Sequence, residues 1–227
     1  MKKFELTTDT KMLLGRKLFR IKALISFGNV RAGDMGGYIE KEGNLSQSGN
    51  AWVSGNAKVS GNAKVYGDAE VSGNARVSGN AWVFGDAEVY GDAEVSGNAE
   101  VSGNAWVFGD AEVSGDAWVS GNAKVYGNAK VSGDAWVSGD ARVSGNAWVY
   151  GNADYATASG FGSEYRTTTF FKLKDSNEIG VRCGCFYGTL KEFRAKVKET
   201  HGETKKAKEY LMIADLMEYR FSEEEKA

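Results

Sequence analysis

Three side chains in this sequence have the types for thiol or metal chemistry, namely Cys183, Cys185 and His201, and the 227 residues hold two cysteines and one histidine in all. On a strand, Cys183-Gly184-Cys185 would place both thiols on one face, and His201 would complete a partial metal site. Three ligands at irregular spacing fall short of a zinc motif, and a single imidazole cannot build a three-histidine centre. A redox-active pair is the second reading of the cysteines. The third, which the usual behaviour of buried cysteine favours, is a small apolar filler with no metal and no cofactor. His201 falls at the end of a predicted helix, where a cation is favoured by the helix dipole. Two cysteines are too few for a disulfide framework and fit a reducing compartment, so the expected location is the cytoplasm.

The elements that must position any site are dominated by one stretch, Gln47 to Asp154, which reads as eighteen hexads. The repeating unit is Val53-Ser54-Gly55-Asn56-Ala57-Lys58, with Gln47 in the first Val place. The triplet around each Val alternates out-in-out as a short strand does, so Val points inward. Gly followed by Asn or Asp tolerates positive φ, so the chain turns a corner after each strand, and Ala fills the tight inner angle. A three-residue strand cannot bury its own apolar face, so successive turns must stack as a solenoid of parallel strands.

Val-x-Gly-(Asn/Asp)-Ala-x resembles the hexapeptide repeat of left-handed β-helix proteins. The resemblance implies left-handed coils of three hexads, hence about six coils. At a strand spacing of about 4.8 Å these make a prism roughly 30 Å long. The lead-in, from Gly33-Asp34-Met35-Gly36-Gly37 to Val53, and less specifically the tail, also resemble uncharacterised hexapeptide-repeat proteins of phages and prophages. The enzymes similar to this fold are acyltransferases with a histidine base and γ-class carbonic anhydrases with three zinc-binding histidines. The repeat contains no histidine, so no catalytic residue of either family carries over.

With 18-residue coils the surface of each side can be read. One side carries Trp52, Glu70, Glu88, Trp106, Lys124 and Arg142 before Val, with Tyr90, Phe108 and Tyr126 after it. A second carries Lys58, Arg76, Glu94, Glu112 and Lys130, followed by serines until Trp148 and Tyr150. The third carries Lys64, Trp82, Glu100, Trp118 and Trp136, with Tyr66 over Phe84. The expected interface is therefore Trp82, Phe84, Tyr90, Trp106, Phe108, Trp118, Tyr126 and Trp136, because contiguous exposed aromatic area marks contact surfaces. A homotrimer follows from two aromatic sides and one polar side, since a closed ring uses two different patches per subunit. The alternative is that the aromatics only stabilise stacking within each side.

Outside the repeat, residues 1–34 are expected to cap the first coil, with Leu18 to Ile25 as a strand covering its open end. Residues 35–154 form the β-helix, with Met35 and Lys41 in Val places and Ile39 and Leu45 in Ala places. Residues 155–227 read as a separable ββαα module. Its strands are Thr167 to Lys174 and Ile179 to Phe186, joined by a turn at Asp175-Ser176-Asn177-Glu178. Thr189-Leu190-Lys191-Glu192 is a capping box, Gly202 ends the first helix, and the second buries Ala207, Tyr210, Leu211, Ala214 and Met217.

The chain has 28 basic and 30 acidic residues, and the two signs alternate along the repeat, which argues against nucleic acid as a partner. The amino terminus has no apolar run for a signal peptide or membrane helix, so no membrane partner is expected. The reading is a mainly β, non-catalytic structural or interaction protein: a left-handed parallel β-helix with an N-terminal cap and a ββαα tail that contacts a partner, a host protein if the phage resemblance holds. The alternatives are an acyltransferase-like enzyme at a subunit interface and a protein that sequesters a small ligand against a host pathway.

Overall fold

The structure is a computed structural model that describes residues 1–222 apart from 163 and 175. Its body is a parallel β-solenoid of about six turns, built from seventeen short strands between Trp52–Val53 and Trp148–Val149. Each strand pairs in parallel with the one 18 residues on, as Val53↔Val71, Val59↔Val77 and Val65↔Val83 show for the three sides. Backbone bonds climb from coil to coil at every hexad: Glu94 N to Ala111 O at 2.9 Å, Ser96 N to Val113 O at 2.9 Å, Asn98 N to Gly115 O at 2.8 Å.

Valine and alanine fill the interior, and Val101 and Ala105 are typical in having no exposed surface. Each buried Val contributes about 1.5–3 kcal/mol, so stability is spread evenly along the rod. The corners need glycine for two reasons. Gly97 has φ +68, and a Cβ there would sit 2.8 Å from the carbonyl oxygen of Gly115 in the next coil. A side chain would thus meet backbone that cannot move aside.

The lead-in departs from the expected register. Ile39 pairs with Val59, and Leu45 bridges to Val65. These two residues, rather than Met35, Lys41 and Gln47, hold the Val places, because the interior selects apolar side chains over strict spacing. A short 3₁₀ turn, Glu42–Asn44, forms the corner between Ile39 and Leu45, and two extra residues follow between Leu45 and Val53. The Asn44 amide closes that corner by donating to Gly61 O at 3.2 Å and Ala63 O at 2.8 Å. Gln47 instead accepts the backbone amides of Lys3 at 2.7 Å and Phe4 at 3.3 Å.

Strand β1 (Phe4–Leu13) pairs antiparallel with β2 (Arg16–Ala23), and β2 pairs antiparallel with β3 (Met35–Ile39). Because β3 joins the strand at Lys58–Val59, this hairpin extends the polar side into a nine-stranded sheet. Phe4, Ile21 and Ala23 enter the rod's core. The expected strand at Leu18–Ile25 is β2; β1 has no counterpart in the sequence reading.

The tail has four antiparallel strands rather than two: Tyr155–Ala158, Thr168–Lys172, Ile179–Cys183 and Phe186–Thr189. Tyr155–Ala158, not among the expected strands, pairs with Thr168–Lys172. The run Ile179 to Phe186 is broken by a two-residue turn, with Cys183 opposite Phe186 and Gly184 at φ +57. Asp175 of the expected hairpin turn lies outside the described residues.

Helices α1 (Leu190–His201) and α2 (Lys205–Phe221) cover one face of that sheet. The capping box forms as its spacing requires: Glu192 N donates to Thr189 Oγ1 at 3.3 Å and Thr189 N to Glu192 Oε2 at 2.8 Å. In α2, Ile213 is buried with Ala207, Tyr210, Ala214 and Met217, while Leu211 is only partly covered.

Adjacent phenylalanines link the two cores. Phe170 points into the tail core, while Phe171 joins the rod's core. Around it, Arg142 N donates to Thr169 Oγ1 at 2.9 Å, Lys172 N to Asp154 O at 2.9 Å and Lys174 N to Asn146 O at 3.0 Å. The tail sheet therefore sits on the last coil.

Candidate functional site

The residues flanking each Val stand on the rod's outer surface, where exact stacking brings like positions together. On the third side Tyr66 and Phe84 stack with centroids 4.9 Å apart, and Trp118 and Trp136 at 5.0 Å and 7°. On the first side Tyr90, Phe108 and Tyr126 form a continuous ladder at 4.9 and 4.8 Å.

A second interaction runs between residues 16 apart, where a Trp before one Val leans back on the residue after the Val below. Trp82 meets Tyr66 edge-on at 6.1 Å, and Trp106 meets Tyr90 at 6.3 Å. Where that lower residue is serine, the indole N–H donates to it: Trp118 to Ser102 at 3.0 Å and Trp136 to Ser120 at 3.1 Å. Burial, together with Glu100 or Glu88, pushes the phenols of Tyr66 and Tyr90 above their ordinary range, consistent with neutral, partly dehydrated rings.

The two aromatic sides are not equivalent. Lys124 Nζ lies 3.5 Å from the Trp106 ring centroid, and Arg182 stands 5.7 Å over Tyr126. Tyr90, Trp106, Phe108 and Tyr126 are accordingly half-buried within their own side, as is Phe84. Trp82, Trp118 and Trp136 remain 39%, 38% and 48% exposed. Trp52 is a separate case, buried beneath Phe4 and Phe27.

Beyond Trp136 the third side opens into a cleft of about 680 Å³, lined by Trp136, Asn152, Tyr155 and, from α2, Leu216, Tyr219 and Arg220. Sequence reasoning missed it, because it depends on where α2 lies against the last coil. The available signal was that Leu216 and Tyr219 fall outside the stripe of α2 read as buried, and both are exposed.

The fold does bring Cys183, Cys185 and His201 to one pocket, of about 310 Å³, with Phe186, Phe193 and Tyr210. The strand geometry expected for the two thiols does not occur. Cys183 ends one strand and accepts a bond from Thr168 Oγ1 at 3.2 Å, whereas Cys185 is exposed in the turn. His201 stacks on Tyr210 at 5.8 Å. Burial, then Cys183, push the Tyr210 phenol up to about 12, so it stays protonated and is no base near neutral pH. Among the described residues no three His, Cys, Asp or Glu side chains are grouped to hold a metal ion. No described helix is long and apolar enough to cross a membrane.

A family model described as YdcK Beta solenoid repeat matches residues 69–85, 123–139 and 135–151, all within the rod. No curated protein matches this chain. The match agrees with the solenoid described above: this chain is a β-solenoid repeat protein.

Proposed function

We propose that this is a non-catalytic scaffold, a left-handed hexapeptide-type rod that assembles as a homotrimer and presents its tail to a partner protein. In this reading the β1–β2 hairpin caps the first coil and the rod fixes spacing and valency. The resemblance to phage proteins makes a host cytoplasmic protein the natural partner. The observation that carries the proposal is the exposed indoles of one side, Trp118 stacked on Trp136 and Trp82 two rungs away across Glu100. Exposed contiguous aromatic surface is rare on monomers, and Trp is enriched where interface energy concentrates. The half-buried ladder of the first side offers a second, different patch, as a cyclic trimer requires.

Light scattering tests the assembly. The wild type is expected at three times the 24.5 kDa chain mass, and Trp82→Ser/Trp118→Ser at the monomer mass. A wild type that stays monomeric at micromolar concentrations overturns the trimer. A trimer that survives the double substitution moves the interface to the tail.

A further inference from the structure

The polar side of the rod leaves positive charge unmatched at one end. Its rungs run Lys58, Arg76, Glu94, Glu112, Lys130. Arg76 pairs with Glu94 at 2.9 Å and Lys130 with Glu112 at 2.8 Å. Lys58 is left over, stacked directly against Arg76, with no carboxylate partner among the described residues. Like charges directly opposite on neighbouring strands are destabilising.

The β1–β2 hairpin adds to this excess instead of neutralising it. Its Lys11 Nζ donates to Asn56 Oδ1 at 3.0 Å while Lys58 Nζ donates to Asn56 O at 3.1 Å, so two ammonium groups share one neutral residue. The hairpin tip then overhangs the side. Leu13, Leu14 and Arg16 close a cleft of about 270 Å³ with Lys58, Arg76, Glu94, Ser60 and Ser78. Arg16 is held by both Glu40 oxygens at 3.0 Å, and the second Glu40 oxygen also accepts the Gly61 amide at 2.6 Å. Three cations, Arg16, Lys58 and Arg76, thus line the cleft against one carboxylate, Glu94, while Lys11 and Glu40 stand behind the lining. Burial, then Arg76 and Lys11, lower the Lys58 pKa, as expected of a cation lacking its counter-ion.

We propose that this cleft binds a compact dianion, the phosphate group of a small phosphomonoester. The two surplus positive charges match one dianion, and Ser60 and Ser78 add hydroxyl donors suited to phosphate oxygens. The volume lies just below that of ordinary small-molecule pockets, which start at about 300 Å³, and excludes an extended polyanion. Leu13 and Leu14 give the cleft one apolar wall, which selects a phosphate carried on an organic group over the free ion. This goes beyond the scaffold reading and does not depend on it, since the residues involved lie off both aromatic sides.

Calorimetric titration with phenyl phosphate, inorganic phosphate and phosphatidic-acid vesicles tests the proposal. Phenyl phosphate is expected to bind saturably, more tightly than inorganic phosphate, and the vesicles not at all. Lys58→Gln should weaken phenyl phosphate about tenfold or more, as loss of a charge-assisted bond implies. Lys130→Gln, on the same side but distant, should leave it unchanged. Without ligand, Lys58→Gln should match or exceed the wild-type Tm, because it removes repulsion, and this separates loss of binding from misfolding. No saturable binding up to about tenfold the millimolar range that marks weak affinity, or equal loss in Lys58→Gln and Lys130→Gln, overturns the site. Inorganic phosphate binding as tightly as the ester overturns the organic carrier, and vesicle binding overturns a small ligand.

Discussion

The rod and the tail solve the same packing problem in opposite ways. The rod buries Val and Ala at every rung with no aromatic side chain between Val53 and Val149 in its core. The tail gathers Phe170, Phe193 and Tyr210 around one centre, with Phe170 and Tyr210 both edge-on to Phe193 at 6.2 and 5.8 Å. Stability in the rod is therefore a sum of nearly equal nearest-neighbour terms, whereas in the tail it is concentrated. The difference teaches that periodic stacking leaves the interior to Val and Ala, whereas the irregular tail builds its core on aromatic rings.

The harshest way to break the comparison is a charge in the rod. Val101→Asp puts a carboxyl where no surface is exposed and is expected to cost several kcal/mol. The folded state would hold that carboxyl protonated, raising its pKa above the unfolded value. Stability should then fall as pH rises through about 5 to 8. A thermal transition unchanged across that range would mean Val101 does not face the core.

Two Phe→Ala substitutions sharpen it, each expected to cost about 3–5 kcal/mol. Phe193→Ala should melt the helical signal of the tail and leave the rod's β signal in place. Phe171→Ala, which opens the rod's core cluster, should lower the transition of the β signal as well. Equal effects on both signals from both variants would show that rod and tail unfold as one unit. The sequence reading treated the 155–227 module as separable from the rod; its deletion would also take Phe171 from the rod's core.

Smaller effects should differ in kind. Thr189→Ala removes the capping box of α1 and is expected to cost about 1 kcal/mol, read from denaturation of the helical signal. Asn98 accepts from Asn80 at 2.9 Å and donates to Asp116 at 2.8 Å on an exposed corner. Asn98→Ala should shift stability by only about 0.5 kcal/mol, since these bonds compete with water. A loss of several kcal/mol there would mean that the polar ladders, not the Val interior, hold the coils together.

The solenoid was legible because Val, Gly and Ala recur in fixed phase, and that same phase correctly placed every aromatic on its side. What it could not supply was the covering of one side by Lys124 and Arg182, which depends on long flexible side chains and, for Arg182, on a distant strand. The lead-in misled because spacing was followed where apolarity ruled, at Ile39 and Leu45. Cys183 and Cys185 misled because a glycine between two β-prone residues reads equally as strand or turn, and only the pairing with Phe186 decides. Ile213 went unread in favour of Leu211; the two lie on opposite flanks of the stripe through Ala207, Tyr210, Ala214 and Met217, since an α-helix turns about 100° per residue, and packing against the sheet decides which flank is covered.

The strict coil period also makes the molecule a phase device. Removing 18 residues from the rod would shorten it by one rise, about 4.8 Å, and return the tail to the same face. Removing six would advance the tail by a third of a turn and set it above a different side. Length and heading can thus be changed independently, in whole coils or single hexads, while every remaining valine keeps its neighbour.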